Sequence, residues 1–365
     1  MNKRDAYLLL KSISGITTKT IGKIIEEVGN IDKFMDLSEK EIYNLKNINL
    51  NMKENIVKYK SHFYLNEIKE KIYKNSINYI CIEDEEYPEK LKNIYNPPLL
   101  LFFKGDLSII NQNLNIAMVG SRKPTPYGIN CAQKISRELG QIGINIISGL
   151  AIGIDSYCHI GCMMNGGKTI GVLGSSVDNV LPKCNRPLAD EILSKGGLIM
   201  SEYNVDTIVT PGNFPSRNRI ISGLSDGVIV VEAGQKSGAL ITADFGLEQG
   251  RNVFAVPGNI NSDMSKGCHK IIKEGAKLIE NIDDILNEYD NNSFNYYKNS
   301  IEYDISGLSN EELKIIEVIK RQGVLQIDEI CDNTGIEIKI VNAIINDLLL
   351  RDLVVEMNNK TYSIN

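Results

Sequence analysis

The sequence predicts an α/β protein built around a doubly wound parallel sheet. Between residues 115 and 256, six short apolar runs alternate with segments long enough to form helices. The runs are residues 115–119, 144–147, 169–173, 198–201, 228–232 and 253–256. Strands that alternate with helices pair in parallel through βαβ crossovers. Helical spacing before residue 110 and a change of charge after residue 287 indicate a helical domain before the sheet and a further domain after it.

Charge is unevenly distributed along the chain. The 365 residues carry 40 basic and 46 acidic side chains, which gives a net charge of −6. Residues 1–287 sum to +1, residues 288–305 to −3 and residues 306–365 to −4. This distribution excludes a uniformly basic nucleic-acid coat protein, but it allows a local basic pocket. The acidic C-terminal part is predicted to contact a protein partner.

No membrane segment, metal site or cofactor is predicted. No apolar run approaches the roughly 18 residues that a bilayer span needs, and the N-terminal run is too short for a signal peptide. The protein is therefore expected to be cytoplasmic. The seven cysteines include no CxxC pair. Cys158 and Cys162 lie one helix turn apart beside His159, but no second ligand pair accompanies them, so zinc is not expected.

Residues 1–75 show the apolar spacing of helices. A small-residue turn at 14–17 separates the first two predicted helices, and Ser38 with Glu41 predicts a capping box at a later one. These features are typical of helix-hairpin-helix units, whose turn amides can contact a phosphate. A second turn at 45–49 lacks the glycine that would let a backbone approach closely. Packing as a helical bundle is the alternative for this segment.

The segments that follow the predicted strands are rich in glycine and serine. Gly120-Ser121-Arg122 follows the first strand, residues 148–155 the second and residues 233–238 the fifth. Ligands bind beyond the carboxyl ends of the strands in such sheets, and glycine-rich turns into helices present amides to anions. The sequence therefore predicts a phosphate-binding edge. It contains neither a complete GxGxxG motif after the first strand nor a P-loop, because residues 166–169 lack the required spacing and strand-loop-helix order.

One loop combines an aromatic residue with two arginines. Phe214 lies among proline and glycine, and Arg217 and Arg219 follow as the chain enters an apolar helix. An aromatic ring beside guanidinium groups suits unpaired bases, because the bases stack on the ring while arginine binds the phosphates. In the alternative interpretation, Phe214 packs against the end of the sheet and the arginines pair with Glu202 and Glu232.

Five motifs in order carry a resemblance to a known family. They are residues 120–128 (which begin Gly120-Ser121-Arg122), Ser148-Gly149-Leu150-Ala151 with Gly153-Ile154-Asp155, residues 212–224, Glu232-Ala233 with residues 237–243, and Gly250-Arg251 with Val256-Pro257-Gly258. Across residues 80–285 they closely resemble the DNA-processing protein A (DprA/Smf) family. The resemblance implies four parts. These are a SAM or helix-hairpin-helix-like domain at 1–75, an extended Rossmann-like core at 76–287, a linker at 288–305 and a winged-helix domain at 306–365.

The same resemblance implies a function. Members of this family are non-enzymatic, homodimeric proteins that bind single-stranded DNA, protect incoming DNA during natural transformation and load the recombinase RecA onto it. The implied DNA-binding residues are Gly120, Ser121, Arg122, Lys183, Gly212, Asn213, Phe214, Arg217, Asn218, Arg219, Ser237 and Gly238. The implied loop-supporting residues are Ser148, Gly149, Gly153 and Asp155. Family members often carry a basic residue where Ile152 stands, so this loop is expected to contribute backbone amides alone.

Two other function classes remain open from the sequence. One is a nucleotide-hydrolysing enzyme related to the lysine-decarboxylase-like phosphoribohydrolases, because the Ser237-Gly238 turn with Thr242 is similar in character to their phosphate-binding loop. Their Pro-Gly-Gly-x-Gly-Thr motif is absent, however, and Asp244 and Glu248 are the only acids nearby in the sequence. The other class is a structural assembly protein that binds no nucleic acid.

Overall fold

A nine-stranded, mostly parallel sheet forms the centre of the larger of two units in the computed structural model. The structure describes residues 3–289, 308–351, 353–357 and 361–364. The two compact units lie within Met1–Asn291 and Asn292–Asn365. The α/β class predicted from the sequence is confirmed by this architecture.

In the sheet, seven parallel strands continue into an antiparallel pair at one edge. The strands are β1 (Asn78–Cys81), β2 (Leu100–Gly105), β3 (Asn115–Gly120), β4 (Asn145–Ser148), β5 (Thr169–Leu173), β6 (Leu198–Ser201), β7 (Gly227–Glu232), β8 (Asn252–Ala255) and β9 (Lys277–Leu278). Their order is β1-β2-β6-β5-β4-β3-β7-β8-β9. β2 runs antiparallel to β1 and β6, and every neighbouring pair from β6 to β9 is parallel. The six predicted strands are confirmed as β3 to β8, and β1, β2 and β9 are additional.

The strand order reverses between β3 and β7. From β3 the chain builds β4, β5 and β6 on one side, and it then returns to build β7, β8 and β9 on the other. Right-handed crossovers in such an order place helices on both faces of the sheet. The helices are α6 (Glu89–Lys92), α7 (Ile109–Gln112), α8 (Pro126–Gln141), α9 (Ile154–Met164), α10 (Arg186–Ser194), α11 (Asn213–Leu224), α12 (Gly238–Glu248), α13 (Lys266–Lys273) and α14 (Asp283–Leu286).

Five helices precede the sheet. They are α1 (Lys3–Ser12), α2 (Thr18–Val28), α3 (Glu39–Asn44), α4 (Leu50–Tyr59) and α5 (His62–Lys74), with a 3-10 turn at Ile31–Asp36. The predicted capping box at Ser38 is confirmed, because its hydroxyl accepts from the Glu41 amide and the Glu41 carboxylate accepts from the Ser38 amide. This reciprocal pair satisfies two amides that the first turn of α3 would otherwise leave without partners.

The side chain of Glu27 binds the backbone amides of the second predicted hairpin turn, at residues 45–49. The Glu27 carboxylate accepts hydrogen bonds from the amides of Lys46 and Asn47, both at 2.8 Å. These bonds lower the pKa of Glu27, because they favour its charged form. A carboxylate therefore occupies the place that a phosphate would take at this turn. The first turn stays exposed and contains Gly15 in the left-handed region, with φ of +83°.

The N-terminal helices and the sheet share one apolar core. Leu8 and Leu9 of α1 are fully buried in the same cluster as Phe102 of β2 and Ile199 of β6. Each fully buried side chain of this kind contributes about 1.5–3 kcal/mol relative to an exposed one. The helices are therefore part of the packing that stabilises the larger unit.

The smaller unit combines three helices with an antiparallel sheet. Its elements are α15 (Asn310–Gln322), β10 (Leu325–Gln326), α16 (Ile327–Thr334), α17 (Ile338–Leu350), β11 (Val354–Met357) and β12 (Thr361–Ile364), and the strand order is β10-β12-β11. This element order supports the winged-helix assignment, which stays a prediction, as do the domain boundaries. Most of the predicted linker 288–305 lies outside the described residues. Among the described residues of both units, no helix is long and apolar enough to cross a membrane.

Candidate functional site

A pocket opens at the carboxyl edge of the sheet, where the strand order reverses. β3 and β7 are neighbours at this point, and the segments that follow them lead to different helices. Such a switch point leaves a crevice, which is where doubly wound proteins bind ligands. The pocket has a volume of about 540 Å³, and its walls come from the end of β3, the segments after β3 and β7, the loop before α9, and helices α11 and α12.

Arg122 and Phe214 lie together at this pocket. The guanidinium carbon of Arg122 is 6.0 Å from the centroid of the Phe214 ring, which is within the range of a cation–π contact. Arg122 is exposed and forms no salt bridge with any described carboxylate. Phe214 is half-buried in the first turn of α11, and not in a loop as the sequence suggested, because the helix begins at Asn213. It packs over Gly174, where a Cβ would lie 2.8 Å from the ring.

Glu232 holds the segment that carries Arg122. Its carboxylate accepts from the Thr125 amide at 2.8 Å and from the Thr125 hydroxyl at 2.6 Å, and its carbonyl accepts from the Ser121 amide at 2.7 Å. The pairing of Glu232 with an arginine, which the sequence left open, is not observed. Because both ends of the 121–125 segment are bonded to β7, the backbone of Arg122 is positioned before any ligand arrives.

Arg217 lies inside the pocket wall and is bonded to the backbone. It is 4% exposed, and its guanidinium donates to the carbonyl of Gly149 at 2.8 Å and to the carbonyl of Val172. Burial lowers the pKa of Arg217 to about 10, and the nearby charge of Asp155 opposes this shift. An arginine in this state remains charged at neutral pH and ties the end of β5 to the loop after β4.

Asp155 also supports the loop that follows β4. Its carboxylate accepts from the amides of Gly149 at 3.1 Å and Ala151 at 3.4 Å. Burial raises the pKa of Asp155, whereas the charge of Arg217 lowers it. Gly149 is required here, because a Cβ would collide with Arg217 and lie 2.7 Å from the Asp155 carboxylate. Asp155 and Arg217 therefore shape the loop as a pair of opposite buried charges.

Arg219 points away from the pocket into a buried ion pair. Its two terminal nitrogens donate to the two carboxylate oxygens of Glu202, each at 2.8 Å, and its Nε donates to the carbonyl of Asn96 at 3.0 Å. Both side chains of the ion pair are buried. The alternative that the sequence left open, in which an arginine of this segment pairs with Glu202, is thus observed for Arg219.

The remaining predicted residues fall into two groups. Gly120, Ser121, Asn218, Ser237 and Gly238 line the pocket. Lys183, Gly212, Asn213, Ser148, Gly149 and Gly153 lie outside the set of lining residues. Among the polar residues that line the pocket, Lys236 was missed, and Thr242 was named as a site residue only in the phosphoribohydrolase alternative. The position of Lys236 directly before Ser237-Gly238 was the signal that could have identified it.

Two glycines, Gly120 and Gly153, let the end of β3 approach the start of α9 closely. Gly153 has φ of +92°, and a Cβ there would collide with the Ser121 carbonyl and lie 2.8 Å from the Arg122 Cα. A Cβ on Gly120 would lie 2.7 Å from the Ile154 side chain. The close approach lets the Ile154 amide donate to the Ser121 carbonyl at 3.1 Å.

The Cys158–His159–Cys162 cluster is buried in the interior. His159 Nδ1 lies 2.7 Å from the Thr169 hydroxyl, and burial lowers the pKa of His159 to about 3, which keeps the ring neutral. Burial raises the pKa of both thiols. Within the described ranges, no group of three His, Cys, Asp or Glu side chains is placed to hold a metal ion.

Comparison with known proteins decides the family. The family model of DNA recombination-mediator protein A matches residues 78–290, which is more than half of the chain. The chain belongs to this family. The match includes the whole nine-stranded sheet and the pocket, and it confirms the resemblance that the five motifs carry. Membership places the chain among recombination-mediator proteins.

Individual relatives agree with the family assignment. DNA processing protein DprA of Bacillus subtilis is 43% identical over 220 residues, which cover 60% of this chain and 74% of the relative. The X-ray structure of DprA from Streptococcus pneumoniae matches with a TM-score of 0.69 and 37% identity, over 80% of this chain and 99% of that one. A DprA structure from Helicobacter pylori, described for its single-stranded DNA binding mode, matches with a TM-score of 0.53 and 31% identity, over 59% and 96% of the two chains.

Proposed function

We propose that this chain binds single-stranded DNA in the pocket at the ends of β3 and β7. The observation that carries the proposal is the pairing of an exposed arginine with an aromatic ring, Arg122 over Phe214, where both residues line the pocket. Unpaired bases can stack on the ring, whereas bases in a duplex are already stacked on one another. The H. pylori relative, whose structure concerns single-stranded DNA, supports the same ligand.

The finer parts of the proposal follow the family. The chain would act in the cytoplasm as a homodimeric recombination mediator that protects incoming DNA during natural transformation and loads RecA onto it. The acidic C-terminal unit would contact a protein partner, because a net negative surface binds phosphates poorly. RecA-loading is tested by measuring RecA assembly on DNA coated with single-stranded-DNA-binding protein, with and without this chain. An assembly rate that does not change would contradict this role.

We propose further that the protein is not an enzyme. Asp155 is the only carboxylate among the described residues that line the pocket, it is buried, and its Oδ2 accepts from two loop amides. Hydrolysis of an N-glycosidic bond needs a carboxylate that is free to act on the sugar or on water. Incubation with nucleoside monophosphates should release no free base. Release that depends on Asp155 would favour the phosphoribohydrolase alternative.

Replacing Arg122 by alanine is expected to weaken binding to a thymidine oligonucleotide and to change its salt dependence. Loss of one phosphate contact on a single strand should lower the slope of log K against log salt by about 0.7 to 1. Fluorescence anisotropy at several salt concentrations measures this slope. Arg186→Ala removes an exposed arginine that does not line the pocket, and it should leave the slope unchanged. Equal slopes for wild type and Arg122→Ala would exclude this residue as a phosphate ligand.

Replacing Phe214 by alanine should weaken binding without this change in slope. Loss of one stacked base costs about 1–3 kcal/mol, or about 5- to 150-fold in the dissociation constant. The same titration measures the effect, and circular dichroism confirms that the variant is folded. Phe63→Ala is the matched control, because Phe63 is a 75% exposed aromatic residue on α5. A Phe214→Ala variant that binds like wild type would show that no base stacks there.

A further inference from the structure

The pocket contains a buried hydroxyl group without a hydrogen-bond partner. Thr242 lies on α12, one turn after the helix begins, and it is 1% exposed. Its side chain lines the pocket, and its hydroxyl has no partner among the described residues. The lining of the pocket also includes apolar side chains such as Val119 and Ile221. Buried hydroxyls in proteins are nearly always bonded, so an unpaired one at a pocket wall indicates a missing ligand.

The same wall contains the N-terminus of α12. The helix has 11 residues and begins at Gly238, after the cap residue Ser237, whose hydroxyl accepts from the Ala239 amide at 3.3 Å. No heavy atom lies within 4 Å of the place where a Cβ on Gly238 would stand, so the backbone is open to a ligand. Amides and the partial positive charge at such a helix end favour an anion.

Lys236 adds a positive charge near the Thr242 hydroxyl and the N-terminus of α12. Lys236 is exposed, lines the pocket two residues before α12, and forms no salt bridge with any described carboxylate. Asp155, the carboxylate in the same pocket wall, lies near the buried positive charge of Arg217. The ammonium group of Lys236, the N-terminus of α12 and the unpaired hydroxyl of Thr242 therefore belong to one continuous segment that lines the pocket. Each of these groups favours a phosphate oxygen.

We propose that Lys236, Thr242 and the N-terminus of α12 form a second phosphate subsite within the pocket, distinct from the position of Arg122. The two subsites lie on the segments after β7 and β3, which are neighbouring strands. The inference rests on the proposed function, because the phosphate belongs to the bound strand. The group bound is either a diester within the strand or a monoester at its end, and the test separates these two sources.

Thr242→Val tests the hydroxyl with little change of shape. Removal of an unpaired buried hydroxyl should leave the melting temperature equal or higher, whereas binding to a thymidine oligonucleotide should weaken about tenfold. Thr242→Ser keeps the hydroxyl and should bind like wild type. Lys236→Ala should also weaken binding, and Lys195→Ala, a lysine outside the pocket, is its control. If the Thr242 hydroxyl had a purely structural role, Thr242→Val would not weaken binding while the melting temperature stays equal or rises.

Oligonucleotides with a 5′-phosphate, a 3′-phosphate or no terminal phosphate identify the source. A monoester site gives tighter binding of one phosphorylated oligonucleotide, and Thr242→Val abolishes this preference. A diester site gives equal binding of all three, and Thr242→Val weakens all of them. The subsite is overturned if wild type binds, Arg122→Ala weakens binding, and both Thr242→Val and Lys236→Ala bind all three like wild type.

A failure of the proposed function can be distinguished from a failure of the subsite. If wild type binds no single-stranded DNA, the proposed function is wrong. In that case inorganic phosphate and thymidine 5′-monophosphate test the subsite directly by thermal shift. Either ligand should raise the melting temperature of wild type and not that of Thr242→Val. Equal shifts, or no shift in either protein, would overturn the subsite.

Discussion

Replacing Arg217 by methionine is expected to destabilise the protein by about 3–5 kcal/mol and to abolish DNA binding, although Arg217 is buried beneath the pocket. The substitution removes the guanidinium that donates to the carbonyls of Gly149 and Val172, and it leaves Asp155 without its compensating charge. The loop between β4 and α9 would then lose the contacts that shape this wall. Urea denaturation measures the free energy of unfolding, and Arg186→Met is the control on an exposed arginine.

The Arg217→Met variant should also show a characteristic pH dependence. Burial already raises the folded pKa of Asp155, and removing Arg217 removes the charge that opposes this rise. A carboxylate with a raised folded pKa favours folding at low pH and loses this contribution as the pH rises through that pKa. The difference in unfolding free energy between variant and wild type should therefore be larger at pH 8 than at pH 5. If this difference in unfolding free energy stays constant or decreases from pH 5 to pH 8, the uncompensated charge of Asp155 is not the cause of the instability.

Glu202→Gln should cost a comparable amount, about 3–5 kcal/mol, because it breaks the buried ion pair with Arg219. Both partners are almost fully buried, and the two bonds of 2.8 Å are bidentate. Burial lowers the pKa of Lys11 on α1 and the charge of Glu202 opposes this shift, so the substitution also removes an anion that favours the charged form of Lys11. Chemical denaturation of the full chain measures the loss.

An exposed ion pair provides the matched control for Glu202. Glu191 and Lys195 form an i,i+4 pair on the surface of α10 at 2.9 Å. Glu191→Gln should cost no more than about 0.5 kcal/mol, because exposed pairs are screened by water. Replacing Glu202 and Arg219 together by leucine should cost less than Glu202→Gln alone, since the buried charge of Arg219 is then removed together with that of its partner. If the double variant is the less stable one, charge burial is not the cause.

The sequence predicts six of the seven parallel strands, because each of β3 to β8 is a short apolar run, whereas β9 has only two residues, Lys277 and Leu278. The antiparallel edge was missed for a physical reason. β2 lies in the continuous apolar run Leu99–Phe103, whose length and composition fit a buried helix turn as well as a strand. β1 is a short edge strand, and its pairing with β2 is a long-range contact that local spacing cannot show.

The sequence predicts the position of the candidate site at the carboxyl edge of the sheet. It does not predict that Arg217 and Arg219 are bonded within the protein. Arg217 and Arg219 are two positions apart on α11, so a helix directs them about 200° apart around its axis. Which of them faces a carboxylate depends on where Glu202 and Asp155 stand in the assembled sheet. The open hydroxyl of Thr242 was similarly invisible, because hydrogen-bond partners are a property of the packed structure and not of spacing.

The reversal of strand order has a consequence for how the protein is made. Ile116 of β3 pairs with Gly227 of β7, about 110 residues later in the chain. During synthesis, β3 therefore emerges long before the neighbour that completes one side of it, and it remains an open edge of a growing sheet. The two subsites lie on opposite sides of this β3–β7 junction, one after each strand. A ribosome-bound chain that ends before α12 would lack the wall of the pocket that this helix forms, and with it the proposed second phosphate subsite.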